Sequence, residues 1–150
     1  MVEKMKIKPP FIALFYLLFF IVLDYFLNTK KLILFPYNLS GIVFVAGGIS
    51  LIIYATKLFK KIGTPKNPFK KPTKFVASGP YKFTRNPMYL GVTLVSLGIA
   101  TFFGSVLVYL SPLLFFLIIN ATFIRREEKL LEQIFGKEYL DYKKQVRRWL

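Results

Sequence analysis

Ser78-Gly-Pro-Tyr-Lys-Phe-Thr-Arg-Asn-Pro-Met-Tyr-Leu-Gly91 is the stretch on which the reading of this chain turns. Gly79-Pro80 and Asn86-Pro87 are helix-stopping dipeptides, and Pro87 suits the first turn of a new helix, where its missing N–H costs nothing. The spacing predicts a polar hinge that restarts as helix near Pro87. Residues 89–124 then run for 36 positions without a charge. That is too long for one bilayer crossing and long enough for two. The expected architecture is a helical hairpin with arms 89–103 and 106–124, a turn at Gly104-Ser105, and a kink at Pro112 in the second arm.

Upstream of the hinge, two further apolar runs cover residues 11–27 and 39–58. The first is about 26 Å long as a helix, marginally enough to span. No small-residue cleavage pattern follows it, so it reads as a retained span rather than a leader, with Asp24 at its interfacial end. The second carries Gly41, Ala46, Gly47, Gly48 and Ser50, small residues that let a neighbouring helix approach closely. Between this run and the hinge, Lys and Pro dominate a loop whose Phe69, Phe75 and Val76 argue for packing rather than disorder. Downstream, residues 125–150 are charged and helical in period, pausing at Gly136, with Leu130, Leu131, Ile134 and Phe135 giving one apolar side.

At 55% hydrophobic and 18% aromatic residues, this composition excludes an ordinary soluble fold. The expectation is an all-α, multi-pass membrane bundle of about four spans with an amphipathic C-terminal helix. It forms a single membrane domain, 1–150, made of a two-span segment (1–58) and a second half (59–150). Net charge is +15, but the cations sit in blocks outside the apolar runs, which points to headgroups rather than nucleic acid. With four spans, 20 of the 22 Lys and Arg share one face, and the positive-inside rule places that face, with both termini, in the cytosol. The absence of Cys and His removes disulfides, thiolate or imidazole metal sites and a Cys nucleophile. Neither nucleic acid nor a metal is expected as a partner.

The hinge sequence, extended back to Thr73 and followed after the hairpin by Glu127-Glu128 and by Phe135-Gly-Lys-Glu-Tyr-Leu-Asp-Tyr142, closely resembles the isoprenylcysteine carboxyl methyltransferase family. Phospholipid methyltransferases look similar. The match covers residues 73–148, with its parts in order and at the right spacing. The resemblance implies an enzyme that transfers a methyl group from S-adenosylmethionine to a lipophilic acceptor. Carried over by position, it assigns the cofactor to Thr73, Lys74, Phe75, Val76, Tyr81, Asn86, Pro87, Met88, Tyr89 and Glu127. Two positions depart from the family pattern. Asn86 stands where the family usually has His, and Phe123 stands where the isoprenylcysteine enzymes place a substrate-binding Arg.

The chemistry of these residues agrees with that resemblance. S-adenosylmethionine carries a sulfonium, an ammonium and a carboxylate, which a Glu, aromatic faces and a nearby Arg or Lys answer in turn. Methyl transfer is a direct displacement that needs alignment and exclusion of water, and no His or Cys. Glu128 is the candidate base if the acceptor is an amine, and Arg125 the candidate for steering an acidic acceptor. Expected partners are membrane lipids and a lipophilic or prenylated acceptor. Two other classes compete: a membrane reductase using NADPH, and a non-enzymatic basic adaptor that holds anionic lipid.

Overall fold

In the computed structural model, which describes residues 7–65 and 70–150, the chain is helical, with one isolated bridge between Lys31 and Ser105. The elements are α1 (Pro9–Leu27), α2 (Gly41–Ile62), α3 (Pro87–Phe103), α4 (Leu110–Ala121), α5 (Phe123–Phe135) and α6 (Lys137–Gln145). Short 3-10 turns occupy Tyr37–Ser40, leading into α2, and Gly79–Lys82 in the hinge. The basic residues Lys4, Lys6 and Lys66, and Phe69, lie outside the described residues.

Two helical segments are long and apolar enough to cross a membrane, Pro9–Leu27 and Tyr37–Ile62, with Pro87–Phe103 a shorter apolar helix. Many of their large apolar side chains lie on the surface. Phe11, Phe15, Phe19 and Val22 on α1, and Val43, Ile49 and Ile53 on α2, remain exposed. A contiguous apolar surface of this kind requires lipid or a partner to cover it.

The pair α2 and α3 forms the closest seam. A Cβ on Gly41 would stand 2.3 Å from the carbonyl oxygen of Gly98, and one on Gly48 would stand 2.6 Å from that of Gly91. The reverse contacts are as tight, at 2.5 Å for Gly98 and 2.8 Å for Gly91. Four glycines, spaced seven apart on each antiparallel helix, thus bring the two backbones into contact, and Ala55 continues the row fully buried. Gly47 does not belong to this seam, since a side chain there would meet nothing within 4 Å. On the other side of α3, α4 and α1 bury Ala13, Phe115, Ile119, Phe123 and Ile124 in one cluster.

The hairpin differs from its expected form at three points. Helix resumes at Leu110 rather than Val106, because Ser105 holds the turn open. Its buried Oγ donates to Asp24 Oδ1 at 2.6 Å and accepts from the backbone N–H of Leu107 at 3.2 Å. Thr29 also donates to Asp24, so this carboxylate ties the 28–33 connector to the turn instead of sitting free at an interface. Gly104, at φ +69°, passes so close to Ile33 that a Cβ would lie 2.0 Å from the Ile33 carbonyl oxygen. Second, Pro112 falls in the first turn of α4, where proline breaks no hydrogen bond and causes no kink. Third, the break comes at Thr122 (φ −112°, ψ −76°), whose hydroxyl turns back to the Ile118 carbonyl at 2.6 Å. Helix α5 therefore begins two residues inside the apolar run.

Candidate functional site

The hinge is held by the far end of the chain. After α6, residues 146–150 run back beneath the start of α3, and their backbone meets three consecutive hinge residues. The Arg85 N–H donates to the Arg147 carbonyl at 3.0 Å. The Thr84 hydroxyl and the Asn86 side-chain amide both donate to the Arg148 carbonyl, at 3.1 and 2.9 Å. Thr84 Oγ1 also accepts from the Asn86 N–H, and both residues are buried. Trp149 anchors the end of the tail by packing on Phe116, with ring centroids 4.5 Å apart, and by donating to Asn120.

Glu128 fastens the same junction electrostatically. Arg148 binds it in a fork, Nε to Oε1 at 3.0 Å and Nη2 to Oε2 at 2.6 Å, and Arg85 Nη1 stands 3.2 Å from Oε1. The carboxylate is 6% exposed. Planar two-point pairing of this type is the strong form of an Arg–carboxylate contact. It holds the Arg148 guanidinium above its ordinary pKa, chiefly through the hydrogen bonds to Glu128.

Above this clamp lies a cavity of about 630 Å³, within the range of small-molecule sites. Helix α3 supplies Met88 and Tyr89, the hinge supplies Tyr81, Arg85 and Asn86, the preceding loop supplies Lys74, Phe75 and Val76, and α5 supplies Glu127 and Glu128. Ile52, Thr56 and Phe59 of α2 and Pro9 and Pro10 of α1 line the side formed by those two helices. Nine of the twelve residues singled out in the sequence therefore line one space. Of the other three, Thr73 braces the loop, its N–H donating to Thr64 Oγ1 at 3.0 Å, and Pro87 is buried at the start of α3. Arg125 is exposed and does not line the cavity.

Within the cavity the decisive pair is Tyr89 and Glu127. The Tyr89 hydroxyl donates to Glu127 Oε1 at 2.5 Å, linking α3 to α5 across the hinge. Desolvation by the surrounding protein pushes the Glu127 carboxyl up to about 7; the charge of Glu128 adds to this and the Tyr89 hydrogen bond opposes it. A carboxylate poised there gains most from a cationic ligand. The aromatic wall is tight: Phe75 packs on Phe135, Tyr139 and Tyr142 at 5.4, 5.9 and 5.1 Å, and Tyr81 packs on Phe59 at 5.6 Å. Tyr142 donates to the Tyr81 carbonyl at 2.6 Å, fixing that ring. Burial, then the Glu127 charge, keeps the Tyr81 phenol well above the ordinary tyrosine range, and burial pushes Tyr139 up to about 12. These hydroxyls stay protonated at neutral pH and act as donors.

Residues 36–138 match the phospholipid methyltransferase family, about two thirds of the sequence and all of the hinge, hairpin and paired acids. The chain belongs to the phospholipid methyltransferase family. An uncharacterised protein of Haemophilus influenzae is 46% identical over 63 residues, which is 42% of this chain and the whole of that protein. No solved structure matches. Membership in a methyltransferase family agrees with the resemblance carried by the hinge and the paired acids. The sequence missed Arg148 and Asn120 as parts of the junction. Their roles depend on a backbone carbonyl and side chains brought together from 20 to 62 residues apart, for which no local pattern exists.

Proposed function

We propose that the protein is an S-adenosylmethionine-dependent methyltransferase that methylates a lipophilic acceptor at the membrane surface. The observation that carries this reading is the Tyr89–Glu127 pair in a cavity walled by aromatic rings. A carboxylate with a raised pKa answers the cofactor's ammonium, and aromatic faces answer its sulfonium. Met88, Tyr81, Phe75 and Val76 supply the apolar faces, and the Lys74 side chain stands at the rim. The cofactor supplies an activated methyl group. The chain's task is then to hold donor and acceptor in line and to exclude water, for which the tail and the hinge form one braced wall.

In this reading the four apolar helical segments cross the bilayer with both termini in the cytosol, so the cavity opens on the cytosolic face. Its boundary with α1 and α2 gives a hydrophobic acceptor a way in from the lipid. A phospholipid amine ranks ahead of a prenylated carboxylate as acceptor. Phe123, at the position of the acceptor-binding Arg, is buried in the core among Phe115 and Ile119 and offers no cation. Glu128 serves as the clamp, since both its oxygens are taken by Arg148, so the proton of an amine acceptor leaves to water at the cytosolic mouth of the cavity before the free amine attacks the methyl group. The test is transfer of a labelled methyl group from S-adenosylmethionine to bilayer nanodiscs of phosphatidylethanolamine, beside a farnesylated cysteine in the same discs. Label in the lipid amine supports the ranking, label in the cysteine ester reverses it, and reduction of a lipid by NADPH with no label in either removes the methyltransferase reading.

A further inference from the structure

Glu127 and Glu128 are the two carboxylates that line the cavity among the described residues, and the fold treats them in opposite ways. Adjacent positions on a helix point about 100° apart, so the two side chains leave α5 in different directions. Glu127 meets α3, where the Tyr89 hydroxyl donates to Oε1 at 2.5 Å, and it forms no ion pair among the described residues. Glu128 meets the tail. Arg148 holds both its oxygens, and Arg85 stands 3.2 Å from Oε1 while also contacting the Tyr139 hydroxyl.

Arg148 reaches Glu128 because the tail carries it there. Its Nη1 donates to Asn120 of α4 at 3.2 Å, and the Trp149 indole donates to the same amide oxygen at 3.2 Å. One side-chain carbonyl in the apolar hairpin thus fixes two successive tail residues, while Thr84 and Asn86 of the hinge hold the Arg148 carbonyl. All three guanidinium nitrogens are engaged, so the fork is set before any ligand arrives. The consequence falls on Glu127, whose carboxyl is raised by burial and, beyond that, by the charge of Glu128. A Glu128 without its fork would add a less compensated negative charge beside Glu127 and leave a second carboxylate able to turn into the cavity. The other ionisable groups around this space are Tyr89 on α3, Tyr81 and Arg85 in the hinge, Tyr139 and Tyr142 on α6, Lys70 and Lys74 in the loop, and Lys8 before α1. Arg148 differs from all of these in binding Glu128 at two points.

We propose that Arg148 is a positioning residue of this cavity: carried in by the tail, it neutralises Glu128 and holds it away from the ligand space, so that Glu127 alone presents a carboxylate to a cationic ligand. For the identity of that ligand the proposal rests on the methyl-donor reading; for the division of labour between the two acids it does not. The tail then belongs to the site without touching what the site binds.

The experiment follows the Glu127 carboxyl itself, by infrared pH titration of the full ligand-free chain in detergent, with the Glu127→Gln spectrum subtracted at each pH. The midpoint is expected at about 7 in wild type and at least about half a pH unit higher in Arg148→Gln. In a Glu128→Gln background the same substitution should move it less than about half as far, because Arg148 then has no carboxylate to hold. Asn120→Ala removes the anchor shared by Arg148 and Trp149 but no charge. It should raise the midpoint by a smaller amount, and it carries the test if Arg148→Gln does not melt cooperatively. An unchanged midpoint in the folded variant overturns the assignment, and so does an equal shift with and without the Glu128 carboxylate, which would make Arg148 a distant charge only. Titration of the same samples with S-adenosylhomocysteine separates the two readings. A midpoint that moves in a protein binding none of it keeps the positioning role and removes the methyl-donor reading; binding with an unmoved midpoint does the reverse.

Discussion

Cofactor binding at this site should depend on pH through Glu127. Its carboxyl sits at about 7 in the folded protein against 4.5 when unconstrained. A ligand ammonium binds the ionised form, so the proton must leave first. At pH 6 about one carboxyl in eleven is ionised, and at pH 8 about ten in eleven, so affinity for S-adenosylhomocysteine should rise about tenfold between them. That factor corresponds to about 1.4 kcal/mol. Calorimetry in buffers of different ionisation enthalpy counts the protons directly, with about 0.9 released per ligand at pH 6 and about 0.1 at pH 8. Glu127→Gln should flatten the Glu127 part of the profile and remove the proton release. The sign for stability is opposite: a carboxyl raised on folding favours the fold below the unfolded pKa. The ligand-free protein should therefore lose at most about 3 kcal/mol as pH rises from 4.5 through 7. Affinity that is flat with pH in wild type, or a profile unchanged in Glu127→Gln, would refute the pairing of Glu127 with the ammonium.

Three further outcomes test the framework beneath the site. Gly48→Ala should cost about 1–3 kcal/mol in thermal unfolding, because its Cβ would press on the Gly91 carbonyl, while Gly47→Ala one residue away should be neutral or stabilising by up to about 1 kcal/mol; equal effects would refute the seam. Glu128→Gln should destabilise by about 3 kcal/mol, the low end for a broken buried pair since the Arg148 side chain is 30% exposed, and should speed tryptic cleavage after Arg147 and Arg148. Unchanged melting and protection would show that the clamp does not hold the tail. Asn86→Ala should cost about 1 kcal/mol by leaving the Arg148 carbonyl short of a donor, with Asn86→Asp worse because it replaces a donor by an acceptor.

The parts of this fold legible from sequence are those that local chemistry dictates. Pro87 begins α3 because proline is tolerated only in a first turn, and Gly136 separates α5 from α6 because its φ of +50° excludes most other residues. The resemblance assigns Glu127 and Tyr89, 38 residues apart, to one site without pairing them, and the hydrogen bond of 2.5 Å between them is visible only in the structure. Other features required tertiary contacts. Ser105 opens the hairpin turn because Asp24, 81 positions earlier, lies beside it. Thr122 ends α4 inside an uninterrupted apolar run, where hydropathy carries no signal of a break. The Arg148 fork on Glu128 and the bond from the Asn86 amide to the Arg148 carbonyl were likewise illegible, since both depend on the tail returning to a cavity that these two residues also line.

The measurement that bears most directly on the methyltransferase account is calorimetric titration of the detergent-purified protein with S-adenosylhomocysteine, with Glu127→Gln beside it and NADPH as the competing ligand. The account predicts saturable binding at one site per chain, weakened at least tenfold by the substitution while the melting temperature holds, and no binding of NADPH. A folded protein that ignores S-adenosylhomocysteine, or binds it equally well without the Glu127 carboxylate, would contradict the account.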